Sequence, residues 1–367
     1  MQTNYKLLFF TLIFAFGVFF SNGQSTFFNA ESGAEWISMD LHIHTVFSDG
    51  AVWPSIRVEE ARREGLDLIA MTEHLEYQPH SEDIPHPDRN RSFEIASEMI
   101  KDGEQLQVIN GSEITREMPP GHINAVFIKD ANKILHADSL SGIQEANKQN
   151  AFVFWNHPNW DAQRIDGIAR LEPFHKYLIA NKLLHGIEVV NETTFSEEAL
   201  QIALDNSLTI LGTSDIHGLT DWAHDIHEGG HRPMTFVRVK DKSPAEIKKA
   251  LFSGNTVVWY DDLLIGKEDQ IKQLVSENIR FGKMHYQKDK TILQLDVVNE
   301  SSVPVQMEYL GAYSFHQRST VFTLAPKTTA RLQIKTVVKK EAVSLPFRIL
   351  NAVIGPKKYL EHTFLVK

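Results

Sequence analysis

Six histidines and three carboxylates recur in this chain in settings that could gather them around metal ions: His42, His44, His74, His122, His157 and His217, with Asp49, Glu113 and Asp215. The first group is Asp40-Leu41-His42-Ile43-His44, followed by Ser48-Asp49-Gly50. Side chains at i and i+2 of a strand project from one face, so His42 and His44 would point to the same place. Asp49 follows on the turn beyond them. Imidazole and carboxylate together suit Zn, Mn or Fe. Taken alone, two histidines on a wet strand face would look the same.

The later groups change that reading. Thr72-Glu73-His74 closes one apolar run and Gly111-Ser112-Glu113 closes another. His122 opens a run after the Pro119-Pro120-Gly121 turn, His157 follows Trp155-Asn156, and Ser214-Asp215-Ile216-His217 follows Gly212-Thr213. Burying so many titratable groups at successive strand ends without a cation would leave large desolvation costs unbalanced. Catalytic zinc needs only three protein ligands and an open position. Nine groups therefore suit two or three ions. Divalent ions about 3.5–4 Å apart are a known arrangement for phosphoester hydrolysis, activating water and clamping attacking and leaving oxygens.

The elements that must position these groups alternate in type. Strands are expected at 37–44, 66–72, 106–111, 123–128, 152–155, 186–190 and 208–212. Helices are expected at 55–64, 93–101, 141–150, 172–184 and 196–206. In the first, Ile56, Val58 and Ala61 make the apolar stripe. Ser196 with Glu197 and Glu198 caps the last. Such alternation implies right-handed parallel crossovers, and seven units suggest an α/β fold closed into a β/α barrel, with an open doubly wound sheet as the alternative. In a barrel the strand C-termini share one active face. A further strand, helix and strand (234–239, 243–253, 256–259) ends this domain, and a helical connector at 267–278 leads out. Past residue 279 the period becomes two, with strands at 292–298, 303–309, 320–324 and 330–335. That spacing fits a small antiparallel β-sandwich of about 90 residues.

As an ordered set, Asp-x-His-x-His, Ser-Asp-Gly, Thr-x-His, Gly-x-Glu, Gly-His, Asn-His-Pro and Ser-Asp-x-His resembles the PHP family, named for polymerase and histidinol phosphatase. The set spans Asp40 to His217. The resemblance implies a distorted seven-stranded β/α barrel of TIM-like kind holding up to three Zn, Mn or Fe ions. It implies that His42, His44, Glu113 and Asp215 hold one ion. Glu113 would bridge to a second held with His122 and His157, and Asp49, His74 and His217 would hold a third. Thr72-Glu73-His74 departs from the common Thr-Asp-His, at a position that is not a primary ligand. The expected chemistry is attack by a metal-bridging hydroxide on phosphorus, with Asp215 orienting it and accepting its proton. Arg232 is the expected phosphate-binding cation and Tyr77 a pocket-lining residue. His227 or His231 is the expected general acid, on nearness in sequence alone.

The net charge of −10 argues against a nucleic-acid or anionic-membrane surface. It leaves room for a small phosphorylated substrate, because bound cations reverse the local field. Residues 1–23 read as a signal peptide. Lys6 gives a positive start, an apolar run covers residues 7–20, and Ser21-Asn22-Gly23 is a small-residue cleavage site. The likeness to exported PHP-type phosphodiesterases agrees with this, so a periplasmic or secreted mature protein beginning near Gln24 is expected. Its barrel with connector would span 24–278 and its sandwich 279–367. The leading function is hydrolysis of a small phosphodiester. The alternatives are a phosphomonoesterase, a hydrolase of C–N or C–O bonds, and a non-catalytic metal-binding protein.

Overall fold

The computed structural model describes residues 27–367, so the expected signal peptide lies outside the described residues. Seven strands form the barrel wall: β1 (Glu35–Asp40), β2 (Leu68–Met71), β3 (Gln107–Ile114), β4 (Ile123–Val126), β5 (Phe152–Trp155), β6 (Gly186–Asn191) and, after the two-residue β7 (Thr194–Phe195), β8 (Thr209–Thr213). Their order is β1-β2-β3-β4-β5-β6, with β8 paired to β6. The apolar runs that identify them are buried on both faces; Ile37, Met39, Leu68, Ala70, Phe152, Phe154 and Leu211 fill one core cluster. Helices α1 (Pro54–Glu64), α2 (Arg91–Glu98), α3 (Ser139–Lys148), α4 (Pro173–Ala180) and α5 (Glu197–Asn206) connect the strands. The Ser196 side chain accepts from the Ala199 N–H as the cap of α5.

Two local differences from the sequence expectation matter for the site. β4 runs antiparallel to both β3 and β5, where parallel crossovers were expected. The 119–121 turn makes β3 and β4 a hairpin, so the start of β4 rather than its end lies at the active face. His122 reaches that face for this reason. In α1 the buried face is Pro54, Arg57, Val58, Glu60 and Ala61, and Ile56 is exposed. The expected stripe gave way to a buried ion pair, Arg57–Glu60 at 2.7 Å.

Closure of the barrel is irregular. The β1 ladder ends at Asp40, and residues 42–44 continue alongside the end of β8, with His44 N–H donating to the Ile216 carbonyl at 3.1 Å and Asp215 N–H to the His42 carbonyl at 2.9 Å. The other edge of β1 pairs antiparallel with β9 (Met234–Val239), which continues to β10 (Thr256–Tyr260) and β11 (Leu263–Gly266). β8 meets β9 and β10 through side chains: Thr235 Oγ1 accepts from Gly212 N–H and donates to its carbonyl, and Thr256 Oγ1 donates to the Ile210 carbonyl. A Cβ on Gly212 would lie 2.3 Å from a Val258 methyl, so only glycine lets β8 pack this closely.

After the helices α6 (Thr220–His224) and α7 (Pro244–Phe252), α8 (Glu268–Asn278) leads to the C-terminal β-domain. Ile292–Asn299 alternates half-buried and buried residues and pairs with Thr328–Lys335. Facing them is a second sheet built on Val343–Gly355 and Lys358–Val366. The sequence expectation missed these last two strands. The first contains Pro346, a strand-breaking signal in the sequence, and although residues 343–350 alternate, residues 351–355 are buried on both faces and lose the period. Val343–Gly355 also pairs parallel to β11, so one sheet runs from the barrel side into the β-domain. Trp36 Nε1 donates to Glu277 Oε2 at 2.8 Å, and Asn351 Nδ2 donates to the carbonyls of Asp262 and Pro304, fastening that join. Among the described residues no helix is long and apolar enough to cross a membrane.

Candidate metal centre and active site

All nine expected groups come together at one end of the barrel. His42 and His44 arrive on the extension of β1, and His74 just past β2. Glu113 lies within β3 and His122 just before β4. His157 follows β5, Asp215 and His217 follow β8, and Asp49 is on the turn after β1. Glu113 stands at the middle: Oε2 is 3.4 Å from Nε2 of both His42 and His44 and 2.9 Å from His74 Nδ1. Its Oε1 is 2.9 Å from His122 Nδ1 and 3.6 Å from His157 Nε2. Asp215 Oδ1 is 3.1 Å from His42 Nε2 and 3.0 Å from His44 Nε2. Asp49 is 3.4 Å from His74 Nε2 and 3.2 Å from His217 Nε2.

Donor atoms within 4.8 Å of one another form three groups that could hold an ion: His42, His44 and Glu113; His74, Glu113 and His122; and His44, Asp49, His74 and His217. The backbone is strained at two of the nine residues, His157 with φ 24° and Asp215 with φ 49°. Left-handed backbone at a non-glycine residue clusters at functional sites. Gly50 is required by space: a Cβ there would meet the His44 carbonyl carbon and the Thr45 nitrogen at 2.7 Å.

A solved structure from Bacteroides vulgatus ATCC 8482, a two-domain protein containing a predicted PHP-like metal-dependent phosphoesterase, is 36% identical to this chain with a TM-score of 0.85; the match covers 91% of this chain and 96% of that one. The chain belongs to the PHP-like metal-dependent phosphoesterases. A family model described as an Ig-like domain matches residues 279–365. A lesion-specific endonuclease from Pyrococcus furiosus is similar at 17% identity and TM-score 0.42, over 69% of this chain and 64% of that one. An amidohydrolase from Chromobacterium violaceum is similar at 14% identity and TM-score 0.35, over 49% of this chain and 87% of that one. Neither of these two bears on function. None of the curated proteins matches.

The donor set of this PHP-like protein fits divalent ions on its own geometry. His42 Nε2, His44 Nε2, Asp49 Oδ1, Glu113 Oε2, His122 Nδ1 and Asp215 Oδ1 are buried and have no hydrogen-bond partner. Unpartnered buried donors and acceptors are costly, and here they face one another. The opposite ring nitrogens are tied down. His42 Nδ1 is 2.8 Å from Glu188 Oε1, His44 Nδ1 is 3.2 Å from Ser48 Oγ, and His217 Nδ1 donates to the Asp215 carbonyl at 2.7 Å. Fixing one ring nitrogen leaves the other bare for a metal.

Charge is concentrated here. Burial opposes ionisation of Glu113, yet His74, His122 and His42 hold its carboxyl well below the usual range. Burial opposes that of Asp215 as well, and His42 and His44 hold it low in the same way. Burial also works against a charged His42, but Asp215, Glu188 and Glu113 keep its pKa well above the ordinary value. For His44 burial wins: despite Asp215 its pKa falls to about 3, helped by His74 and His217. The carboxylates thus stay ionised and demand positive charge nearby.

The supporting roles of several residues emerge only in the structure. Glu188, buried in β6, supports His42, accepts from Thr213 Oγ1 at 2.7 Å and from the His157 N–H at 2.7 Å, and takes Asn191 Nδ2 at 2.9 Å. A lone Glu inside the apolar run 186–190 was the available signal. Asn156 Nδ2 donates to Glu113 Oε1 at 2.8 Å. Glu73 accepts from the Thr45 N–H and from the hydroxyls of Thr45 and Ser48, which fixes the turn carrying Asp49.

Other expectations are corrected. Arg232 is fully buried away from the pocket, with Nη1 on Asp40 Oδ2 at 3.0 Å and Nε and Nη2 on the two Glu64 oxygens at 2.8 Å. Both partners are carboxylates, so its charge is spent inside the fold. His227 is exposed and 3.3 Å from Asp221. His231 lies against the Trp259 ring with Nε2 donating to the Asp261 carbonyl. Neither lines the cavity over the ligands, whose walls are Asp49, His74, Glu113, His122, His157, Trp160, Asn191, Glu192, Asp215 and His217. Tyr77 is 52% exposed with its ring 5.9 Å from that of His74, and it is not among the residues that line this cavity.

Proposed function

We propose that this protein is a metal-dependent phosphodiesterase acting on a small substrate outside the cytoplasm. The observation that carries the hydrolytic reading is the convergence of unpartnered imidazole and carboxylate atoms on one open pocket. Two or three Zn, Mn or Fe ions bound by the nine ligands would supply an activated water and Lewis-acid stabilisation of the phosphoryl oxygens. The chain's own residues do the rest. Asp215 lines the pocket and its carboxylate can accept the proton of the attacking water, while Asn191 Nδ2 holds Oδ2 at 3.2 Å. His157 and Trp160 wall the pocket on one side.

The preference for a diester rests on the charges of that wall. The described residues lining it include no lysine or arginine, and Glu192 is among them. A monoester dianion would bring a second negative charge toward Glu192 without an added cation to meet it. A diester carries one. The export reading rests on the sequence of residues 1–23.

The test is turnover by protein reconstituted separately with Zn and Mn. Bis-p-nitrophenyl phosphate should turn over faster than p-nitrophenyl phosphate, and an ester lacking phosphorus should not turn over. Faster turnover of the monoester would overturn the diester preference. Absence of any metal-dependent turnover would favour a binding protein. His42→Ala should lose both bound metal and activity.

A further inference from the structure

The cavity over the ligands, about 130 Å³, does not end at them. A wider one of about 410 Å³, lined by Thr115, Arg116, Glu117, His122, Trp160, Ala162 and Gln163, shares His122 and Trp160 with it. Trp160 stands where the two meet. Its ring centroid is 5.5 Å from that of His122 and 5.2 Å from that of His157, and 43% of the residue remains exposed. Trp53 is as exposed and Trp222 more so; what sets Trp160 apart is that its open ring abuts two candidate ligand rings and lines both cavities.

The backbone that carries the ring is well anchored. Trp160 N–H donates to the His157 carbonyl at 2.9 Å, and the Trp160 carbonyl accepts from Gln163 and Arg164. Gln163 Nε2 donates to the Arg116 carbonyl at 2.9 Å, and Arg164 is paired with Glu172 at 2.8 Å. The outer cavity is a poor place for a second anion. Arg116 Nη2 is already 2.7 Å from Glu76 Oε1, and Glu117 is the next wall residue.

We propose that the Trp160 face is a subsite for a planar aromatic group carried on the phosphoester, so that the preferred substrate is a diester with one aryl or nucleobase-bearing substituent. This rests on the phosphodiesterase reading. The phosphoryl group would sit over the metal ligands and the planar group would stack in the outer cavity. A rigid aromatic platform recognises such a group through its π-face with little hydrogen-bond readout.

Three esters that share the non-aromatic trifluoroethyl leaving group test it on Mn-loaded protein: methyl, benzyl and thymidine-5′ 2,2,2-trifluoroethyl phosphate. The benzyl or thymidine ester should exceed the methyl ester in kcat/KM by roughly tenfold, the scale of one stacked base. Trp160→Ala should bring the esters to within about twofold of one another, and Trp160→Phe should retain most of the difference. Which ester is favoured separates a plain aryl group from a nucleobase. Calorimetric binding of thymidine 5′-monophosphate and methyl phosphate gives a readout that needs no turnover. If no diester is hydrolysed but thymidine monophosphate binds tighter in a Trp160-dependent way, the function fails and the subsite stands. Equal binding of the two phosphates, or equal loss on all esters in Trp160→Ala, overturns the subsite.

Discussion

Arg57 Nε donates to the carbonyl oxygen of His44 at 2.9 Å, and the same guanidinium holds the segment after β8. Nη2 donates to the carbonyls of Ile216 at 3.0 Å and His217 at 2.9 Å, and Nη1 to that of Gly218 at 2.8 Å. One side chain of α1 thus ties the two ligand-bearing segments that close the barrel, and Glu60 balances its charge. Arg57→Met would remove the guanidinium from the His44 and Gly218 carbonyls, leave those of Ile216 and His217 with only the His44 and Ala51 N–H groups, and make Glu60 a buried charge without its cation. Stability should fall by about 3–5 kcal/mol, read from urea unfolding of metal-loaded protein. Loss of metal to a chelator should accelerate in parallel. Arg57→Lys should not rescue either, because one ammonium cannot reproduce the fork. Unchanged metal release in Arg57→Met would refute the clamp.

Glu188 acts on the centre through His42. Its Oε1 fixes Nδ1 of that ring, and its Oε2 takes the N–H of His157, so one carboxylate orients two candidate ligands. Removing a hydrogen-bonded partner of a metal-bound histidine typically costs about 10–100-fold in metal affinity. Glu188→Gln should show a loss of that size in competition with a fluorescent chelator, with near wild-type circular dichroism. Wild-type metal affinity in that variant would sink the assignment.

How much of this was legible in the sequence differs by element. The nine inward groups were readable because each sits beside a recognisable apolar run and a turn residue. The antiparallel sense of β4 was not, since a strand four residues long carries no mark of its direction. Glu188 and Arg57 escaped for a related reason: each is a charged residue on an otherwise ordinary strand or helix, and only the tertiary structure supplies its partners. Arg232 misled because nearness in sequence to the last ligand motif says nothing of side-chain direction. Its two carboxylates, Asp40 and Glu64, come from β1 and α1.

Arg232 accordingly belongs to stability. Arg232→Met would strand Asp40 and Glu64 without a cation in the interior, and Asp40 also accepts from the Ser214 N–H and hydroxyl. The cost should be about 3–5 kcal/mol by chemical denaturation. The KM of the folded fraction for a phosphodiester should stay within a few-fold of wild type. A selective rise in KM, with stability unchanged, would restore Arg232 to the substrate site.

His175 makes acid stability measurable away from the metal ligands. It is fully buried with its ring stacked on Trp155 at 3.9 Å; Nε2 donates to the Pro120 carbonyl and Nδ1 accepts the Glu172 N–H. Burial lowers its pKa from 6.5 to about 4, against the pull of the Pro120 carbonyl. The folded state therefore favours the neutral ring. That contribution is fully present above pH 6.5 and is lost as pH falls from 6.5 toward 4, reaching on the order of 3 kcal/mol. His185, lowered to about 4 by burial as well but half-buried, adds a smaller share of the same sign. Carboxylates contribute their own acid dependence, so the informative quantity is a difference between variants. Unfolding free energies of wild type and His175→Gln, measured by urea at half-unit steps from pH 7.5 to 4, should converge by about 3 kcal/mol across that window as wild type loses its advantage. Parallel curves would mean that His175 is not held neutral by the fold.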